Sequence, residues 1–228
     1  MDQNQIPEDL AAVIGECWPD GIVSEFDLTE SYFHDIRAAL ERDLQRISGA
    51  SLRWQTDPQE ENADWQSYHV FFLTPQGDEF EFEADTETTE EPDDASQPST
   101  TTSTHGRGWY GCAVAVSLAA SVTAISFDQF VEYEDGSESQ PDLPGPAFDE
   151  ETGAPIDMQA QYRDLLGEDA FARLDTLGGQ IAAILEKHDL SLLDQSVLDL
   201  PVPELGFDDQ VFLQPPLSVR DAFFFHGA

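Results

Sequence analysis

An uncharged stretch from Trp109 to Phe127 limits what this chain can fold into more than any other feature. It contains no Asp, Glu, Lys or Arg, in a protein that carries 47 Asp and Glu residues. Its length approaches the roughly 20 apolar residues that a membrane-spanning helix needs. Much of it is alanine, serine and threonine, however, and these residues contribute little to membrane insertion. We therefore expect this stretch to form the buried centre of the fold and not a membrane span.

Apolar residues alternate within this stretch, which indicates strands and not a helix. The alternate positions are occupied by Cys112, Val114, Val116 and Leu118. Further along, a segment that ends at Tyr133 leads into Asp135-Gly136, a pair suited to a type I′ turn because both central residues take positive φ. The pattern predicts a buried central hairpin, followed by a return strand from Ser137.

Helices are predicted on both sides of this β-rich centre, because apolar residues recur there at three- and four-residue steps. The first helix covers Pro7 to Cys17, and the second carries its apolar face from Phe33 to Ile47 and ends near a left-handed Gly49. Helices resume at about Ile156. Their apolar positions continue through Gly178-Gly179, a glycine pair that favours a kink or a close helix crossing.

Three strands are predicted before the centre: Leu52–Gln55, Tyr68–Thr74 and Glu79–Ala84. In the last of these, Glu79, Glu81 and Glu83 alternate with Phe80 and Phe82. One face of that strand is therefore expected to be buried and the other to contact water.

Hydrophobic residues almost vanish from Asp85 to Gly106, where Thr, Ser, Glu, Asp and Pro dominate. This composition predicts an acidic, Ser/Thr-rich disordered linker or loop, because it cannot bury enough apolar surface to offset its ordering entropy. The chain then divides into an N-terminal α+β part (1–84), the linker (85–106) and a part with the hairpin and C-terminal helices (107–228). Whether the two outer parts form one domain stays open. The predicted class is α+β, with a mainly antiparallel sheet, an N-terminal helical pair and a C-terminal helical segment.

The C-terminal region contains a candidate helix cap and an aromatic run. Ser218 and Asp221 have the spacing of a capping box, although Asp replaces the usual Glu or Gln. The helical turn that follows carries three consecutive phenylalanines, Phe223 to Phe225. We expect these rings to dock into the core, because an exposed cluster of this kind would form a sticky patch.

The charge of the chain narrows the classes of partner. Its formal net charge is −38, and Arg107 is the only basic residue between Trp54 and Tyr162. Direct binding to nucleic acid or to an anionic membrane is disfavoured, because both require clustered Lys and Arg. A basic protein partner, cations or concentrated salt are favoured.

The N-terminus and the cysteines predict the cellular compartment. Met1 to Asp9 is mostly polar and acidic and does not have the pattern of a signal peptide. Cys17 and Cys112, the two cysteines, do not form a disulfide framework. We expect reduced thiols in a cytoplasmic protein.

Candidate chemistry is sparse. Cys112 follows a glycine and precedes an apolar run, which would suit a nucleophile at a helix N-terminus with His188 or His226 as its base. The same pattern fits a small buried residue on a strand.

No phosphate-binding, dinucleotide-binding or nucleophile-elbow motif is present. The five histidines also lack the spacing of metal ligands. We therefore expect neither a metal nor another cofactor. No small-molecule ligand is evident from the sequence. These histidines are His34, His69, His105, His188 and His226.

Three functions follow, in order of preference. The first is a non-enzymatic binding protein or inhibitor, either an immunity-type protein or a nucleic-acid mimic, whose acidic face engages a basic protein partner. The second is a globular protein adapted to high salt, and the third is a cysteine-nucleophile enzyme using Cys112. The candidate partner-binding residues are Glu79, Glu81, Glu83, Glu132, Glu134 and Asp135.

Overall fold

A computed structural model of the chain describes residues 6–23, 32–56, 67–77, 79–88, 100–139, 141, 158–207 and 216–224. Within these ranges the elements are, in order, α1 (Glu8–Cys17), β1 (Ile22–Val23), α2 (Tyr32–Leu44), β2 (Ala50–Gln55), β3 (Tyr68–Pro75), β4 (Glu79–Thr88), β5 (Thr100–Ser117), β6 (Val122–Tyr133), α3 (Met158–Leu166), α4 (Glu168–Lys187), β7 (Ser191–Leu192), α5 (Gln195–Leu198), β8 (Pro201–Val202), β9 (Gly206–Phe207), β10 (Leu217–Ser218) and α6 (Val219–Phe223).

The main sheet is curled and is organised around the long strand β5. Its order is β2-β3-β5-β6-β7, and β4 also pairs with β5. β3 pairs with 112–117 of β5 and β4 pairs with 100–109, so β4 continues β3 along the same edge of β5. All of these pairs are antiparallel except β6 with β7. The α+β class is confirmed, and the sheet is mixed, with mostly antiparallel pairs.

The uncharged stretch is buried on both faces of the sheet, which explains why it excludes charge. Cys112, Val114 and Val116 contact one hydrophobic cluster, together with apolar residues of α2 and α4. Ala113 and Ala115 contact a second cluster, built from α1 and the C-terminal segments. The predicted alternation is confirmed, and layers on both sides make the centre of β5 apolar throughout.

The turn after β6 differs from the prediction. Gly136 has a φ of +85°, whereas Asp135 does not have a positive φ. The prediction of a type I′ turn is therefore wrong. Oδ1 of Asp135 accepts hydrogen bonds from the backbone N–H and the hydroxyl of Ser137, at 2.9 and 2.6 Å. A loop of this kind needs the left-handed conformation at only one residue, and glycine supplies it. Among the described residues, the predicted return strand is reduced to one bridge between Glu132 and Glu138.

Strands β4 and β5 extend into the segment that was predicted as a linker. Residues 85–88 pair with 100–103, and 104–106 also belong to β5. Thr86 lies opposite Thr102, and Thr88 opposite Thr100. Threonine is β-branched and favours extended backbone, which a composition count based on hydrophobicity does not register. Residues 89–99 of the predicted linker lie outside the described residues.

The C-terminal segment docks into the core as predicted. Ser218 and Asp221 form the capping box that precedes α6, with the Ser218 backbone N–H donating to Oδ2 of Asp221 at 2.7 Å. Phe223 and Phe224 are buried in the cluster that α1 also contacts. Nε1 of Trp18 donates to the carbonyl of Ala222 at 3.0 Å, which links α1 directly to α6. Phe225 lies outside the described residues.

Helix α4 runs without interruption through the glycine pair. A Cβ added at Gly178 would lie 3.9 Å from the ring of Phe127, and one added at Gly179 would contact nothing within 4 Å. The predicted close helix crossing is therefore not found at this point among the described residues.

Candidate functional site

Four of the six predicted binding residues share one face of the sheet. We call the part of the sheet formed by residues 79–88, 100–109 and 130–133 the wing. In the wing, Arg107 lies opposite Glu81 on one side and Glu132 on the other. Glu79 and Glu83 are two residues away from Glu81 on β4, on the same side of the strand. Because opposite residues and alternate residues share a face, these four carboxylates form one surface, the acidic face.

Arg107 lies at the centre of the acidic face. Its guanidinium nitrogens lie 3.8 Å from Oε1 of Glu79 and 4.0 Å from Oε2 of Glu132. The Arg107 side chain is 64% exposed, and exposed ion pairs of this kind contribute about 0–1 kcal/mol. Four carboxylates against one guanidinium leave three negative charges on the acidic face. The sequence did not lead us to predict Arg107 as a site residue. It is, however, the only basic residue between Trp54 and Tyr162, and this could have indicated its role.

His105 extends the acidic face toward the tip of the wing. It lies opposite Glu83 in the ladder, and its Nδ1 is 3.8 Å from Oε1 of that residue. Both side chains are exposed. A protonated His105 would therefore add a second positive group beside the glutamates.

Glu134 and Asp135, the other two predicted residues, lie in the exposed turn next to the acidic face. The backbone N–H of Glu134 donates to the carbonyl of His105 at 3.0 Å, which joins the turn to β5. Hydrogen bonds from the hydroxyl and then the backbone N–H of Ser137 lower the pKa of Asp135. The carboxylate of Asp135 thus has a structural role in the turn.

The opposite face of the wing is aromatic and holds β4 in place. The ring of Phe80 stacks on Tyr110 with centroids 4.6 Å apart, and Phe82 meets Tyr133 edge-on at 5.7 Å. Phe80 also lies directly over Gly108, where an added Cβ would be 2.2 Å from its Cζ. Only glycine allows this approach. The predicted Glu/Phe alternation of β4 therefore separates a charged face from a packed one.

Cys112 has the environment of a core residue. It lies in the middle of β5, is fully buried, and has its Sγ 3.8 Å from the carbonyl oxygen of Leu174. Burial first, and the negative charge of Asp175 second, raise the pKa of its thiol to about 12. An activated cysteine has a lowered pKa and a partly exposed sulfur. The placement of Cys112 on a strand also contradicts the helix N-terminus that the nucleophile interpretation required.

His188, one of the two predicted bases for Cys112, bonds to a different residue. Its Nε2 is 3.1 Å from Oδ2 of Asp43, which also accepts a hydrogen bond from Lys187 at 2.6 Å. These bonds lower the pKa of Asp43 and join α2 to the end of α4. The other predicted base, His226, lies outside the described residues.

Both cysteine thiols are expected to react slowly in the folded protein. Burial first and the charge of Glu16 second raise the pKa of Cys17 to about 11, and its Sγ donates to the carbonyl of Ala119. At pH 7 we therefore expect a chromogenic disulfide reagent to label both thiols rapidly in denaturant and far more slowly in buffer. Rapid labelling of Cys112 in the folded protein would contradict this assignment and would restore the nucleophile interpretation.

Two kinds of feature are absent from the described part of the chain. No three or more His, Cys, Asp or Glu side chains in it are grouped so that they could hold a metal ion. None of its helices has both the length and the apolar character needed to cross a membrane.

No protein-family model, curated protein or solved structure matches this chain.

Proposed function

We propose that this protein is a non-enzymatic binding or inhibitor protein that engages a basic protein partner through the acidic face of the wing. The observation that supports this most is the placement of Glu79, Glu81, Glu83 and Glu132 on one sheet surface. An immunity-type protein and a nucleic-acid mimic both use such a surface, since each presents carboxylates to a cationic site. Long-range attraction would accelerate association and make it sensitive to ionic strength.

The strand pairing of the wing favours binding over simple hydration. Backbone pairing to both neighbouring strands holds β5, and aromatic stacking on the opposite face holds β4. Carboxylates on a fixed surface lose less conformational entropy on binding than carboxylates on loops. Arg107 spaces the charges of the acidic face and limits their mutual repulsion.

A charge-neutral wing tests this proposal. The variant carries Glu79→Gln, Glu81→Gln and Glu83→Gln, and its matched control carries Glu16→Gln, Asp164→Asn and Glu186→Gln on three helices. All six side chains are exposed, so both variants change the net charge by the same amount. In pull-downs from host lysate at low salt, we expect the wild type and the control to retain a basic protein that the wing variant loses. Raised salt should release that protein.

Equal capture by the wing variant and its control would contradict the proposal, because the total charge and not the acidic face would then govern binding. Failure of the wild type to retain any basic protein at low salt would also contradict it. Thermal unfolding of both variants provides the check that each is folded.

Adaptation to high salt is the second candidate, and one observation favours it. Exposed carboxylates also lie on helices far from the wing in sequence, as a hydrated surface would require: Glu8, Asp9, Glu16, Asp164, Glu168, Asp169, Asp175 and Glu186.

Thermal unfolding in low and in multimolar salt separates the two candidates. For salt adaptation, we expect the protein to unfold at low salt, because unscreened carboxylates repel one another. Ordinary stability at low salt is expected for a dedicated binding surface.

A further inference from the structure

We propose that the outer edge of β4 binds an extended basic segment of the partner as an added strand, with its cations opposite Glu81 and Glu83. This inference rests on the proposed function and specifies how the acidic face would be used. Among the described residues, β4 forms a ladder with β5 alone. An open strand edge presents unpaired N–H and C=O groups, which an extended peptide can satisfy.

The hydrogen-bond pattern indicates which residues of β4 face outward. The carbonyl of His105 accepts from the N–H of Glu134, so the backbone groups of His105 point toward β6. In an antiparallel ladder, hydrogen-bonded and non-hydrogen-bonded pairs alternate. Glu83, opposite His105, therefore directs its N–H and C=O away from β5, and Glu81 does the same two residues earlier.

The far side of β6 shows the same alternation independently. Val131 exchanges hydrogen bonds with Ser139, on the side of β6 away from β5. Gly108, opposite Val131, therefore directs its backbone groups toward β4, where it pairs with Phe80. The residues of β4 that bond to β5 are thus the phenylalanines, and the residues with outward backbone groups are the glutamates.

Charge identifies the occupant of this edge. A residue paired with Glu81 or Glu83 in an added strand would lie on the acidic face, directly across from a carboxylate. Lysine or arginine at alternate positions would complement these groups. A second copy of this chain would place glutamate opposite glutamate, which is destabilising. The edge therefore disfavours self-association and favours a basic segment.

The test uses the full chain and a ten-residue peptide that alternates lysine with threonine. Its control is the same peptide N-methylated at each lysine, which keeps the charge and removes the N–H groups that would face β4. We expect the control to bind at least about tenfold more weakly, because several backbone hydrogen bonds are lost. Hydrogen exchange measured by NMR should show the amides of Glu81 and Glu83 slowed at least about tenfold by the unmodified peptide. The amides of Phe80 and Phe82 should be protected with or without it.

A pair of variants gives a second test. Glu81→Pro and Glu81→Gln make the same change in charge, but only proline removes the outward N–H. Proline is tolerated on an edge strand where the N–H faces away from the ladder. We expect Glu81→Pro to weaken peptide binding about tenfold more than Glu81→Gln, with similar unfolding temperatures for the two variants. If Glu81→Pro does not fold, the comparison of the two peptides and the amide exchange still decide the question.

The outcomes separate this inference from the proposed function. Equal affinity for both peptides with no added protection at Glu81 and Glu83 would overturn strand addition. The proposed function would survive that result if the wing variant still bound the unmodified peptide more weakly than its matched control did. Equal peptide affinity in the wing variant and its matched control would overturn both.

Discussion

Replacing Phe223 with alanine is expected to lower the free energy of unfolding by about 3–5 kcal/mol. Phe223 is fully buried, and its ring belongs to the core cluster that α1 and one face of the sheet share. Its backbone is also held, because the carbonyl of Phe223 accepts a hydrogen bond from the hydroxyl of Ser67 at 3.3 Å. The shortened side chain would leave a cavity that the hydrogen-bonded backbone cannot close.

Chemical denaturation monitored by tryptophan fluorescence measures this effect. Leu165→Ala is the control, because Leu165 is 62% exposed and its truncation should change stability by no more than about 0.5 kcal/mol. A loss of less than about 1 kcal/mol for Phe223→Ala would mean that the C-terminal segment does not dock against the sheet.

Acid is expected to destabilise the folded protein through His69. The His69 side chain is 3% exposed and lies between the rings of Phe33, at 5.1 Å, and Phe71, at 4.5 Å. Its Nε2 is buried without a hydrogen-bond partner among the described residues. Burial first, and the positive charge of Arg37 second, lower the pKa of His69 to about 3. The folded state therefore holds this histidine neutral.

The direction of the pH effect follows from proton linkage. The unfolded chain has a histidine pKa near 6.5, so below that pH it binds a proton that the folded state excludes. The contribution of neutral His69 is complete above pH 6.5 and is lost as the pH falls from 6.5 toward 3. Each pH unit in this window costs about 1.4 kcal/mol. Between pH 7 and pH 5, the loss is about 2 kcal/mol.

Comparison with His69→Leu isolates this effect from the many carboxylates, which both proteins share. The free energy of unfolding of the wild type should fall by about 2 kcal/mol relative to His69→Leu between pH 7 and pH 5. His34→Leu, at an exposed position on α2, provides the comparison variant for a histidine substitution outside the core. Parallel pH profiles for the wild type and His69→Leu would contradict this prediction, because they would show that folding does not lower the pKa of His69.

The position of the candidate site was only partly accessible from the sequence. The alternation of glutamate and phenylalanine in β4 predicted an exposed acidic face, because residues two apart share one side of a strand. Nothing local predicted that Glu132 joins this face, since it is about 50 residues away along the chain and the register of β5 brings it there. Arg107 links the two groups of carboxylates only because it lies between them in that register.

Features that depend on neighbours along the chain could be predicted from the amino-acid sequence alone. Apolar periodicity predicted α1, α2 and the strands of the central hairpin, and the spacing of Ser218 and Asp221 predicted the cap of α6. Composition determined the sign and size of the charge. Each of these depends on backbone preferences and side-chain spacing within a few residues, which an amino-acid sequence states directly.

The way in which these elements combine depends on contacts between segments that are distant in the chain. Long-range pairing placed β4 beyond β3 on the same edge of β5, extended both β4 and β5 into the predicted linker, and covered both faces of the central strands. It also buried His69 and Cys112 in the core. These features could not be predicted because strand register and burial are set by the simultaneous packing of distant segments, and local sequence patterns do not specify that packing.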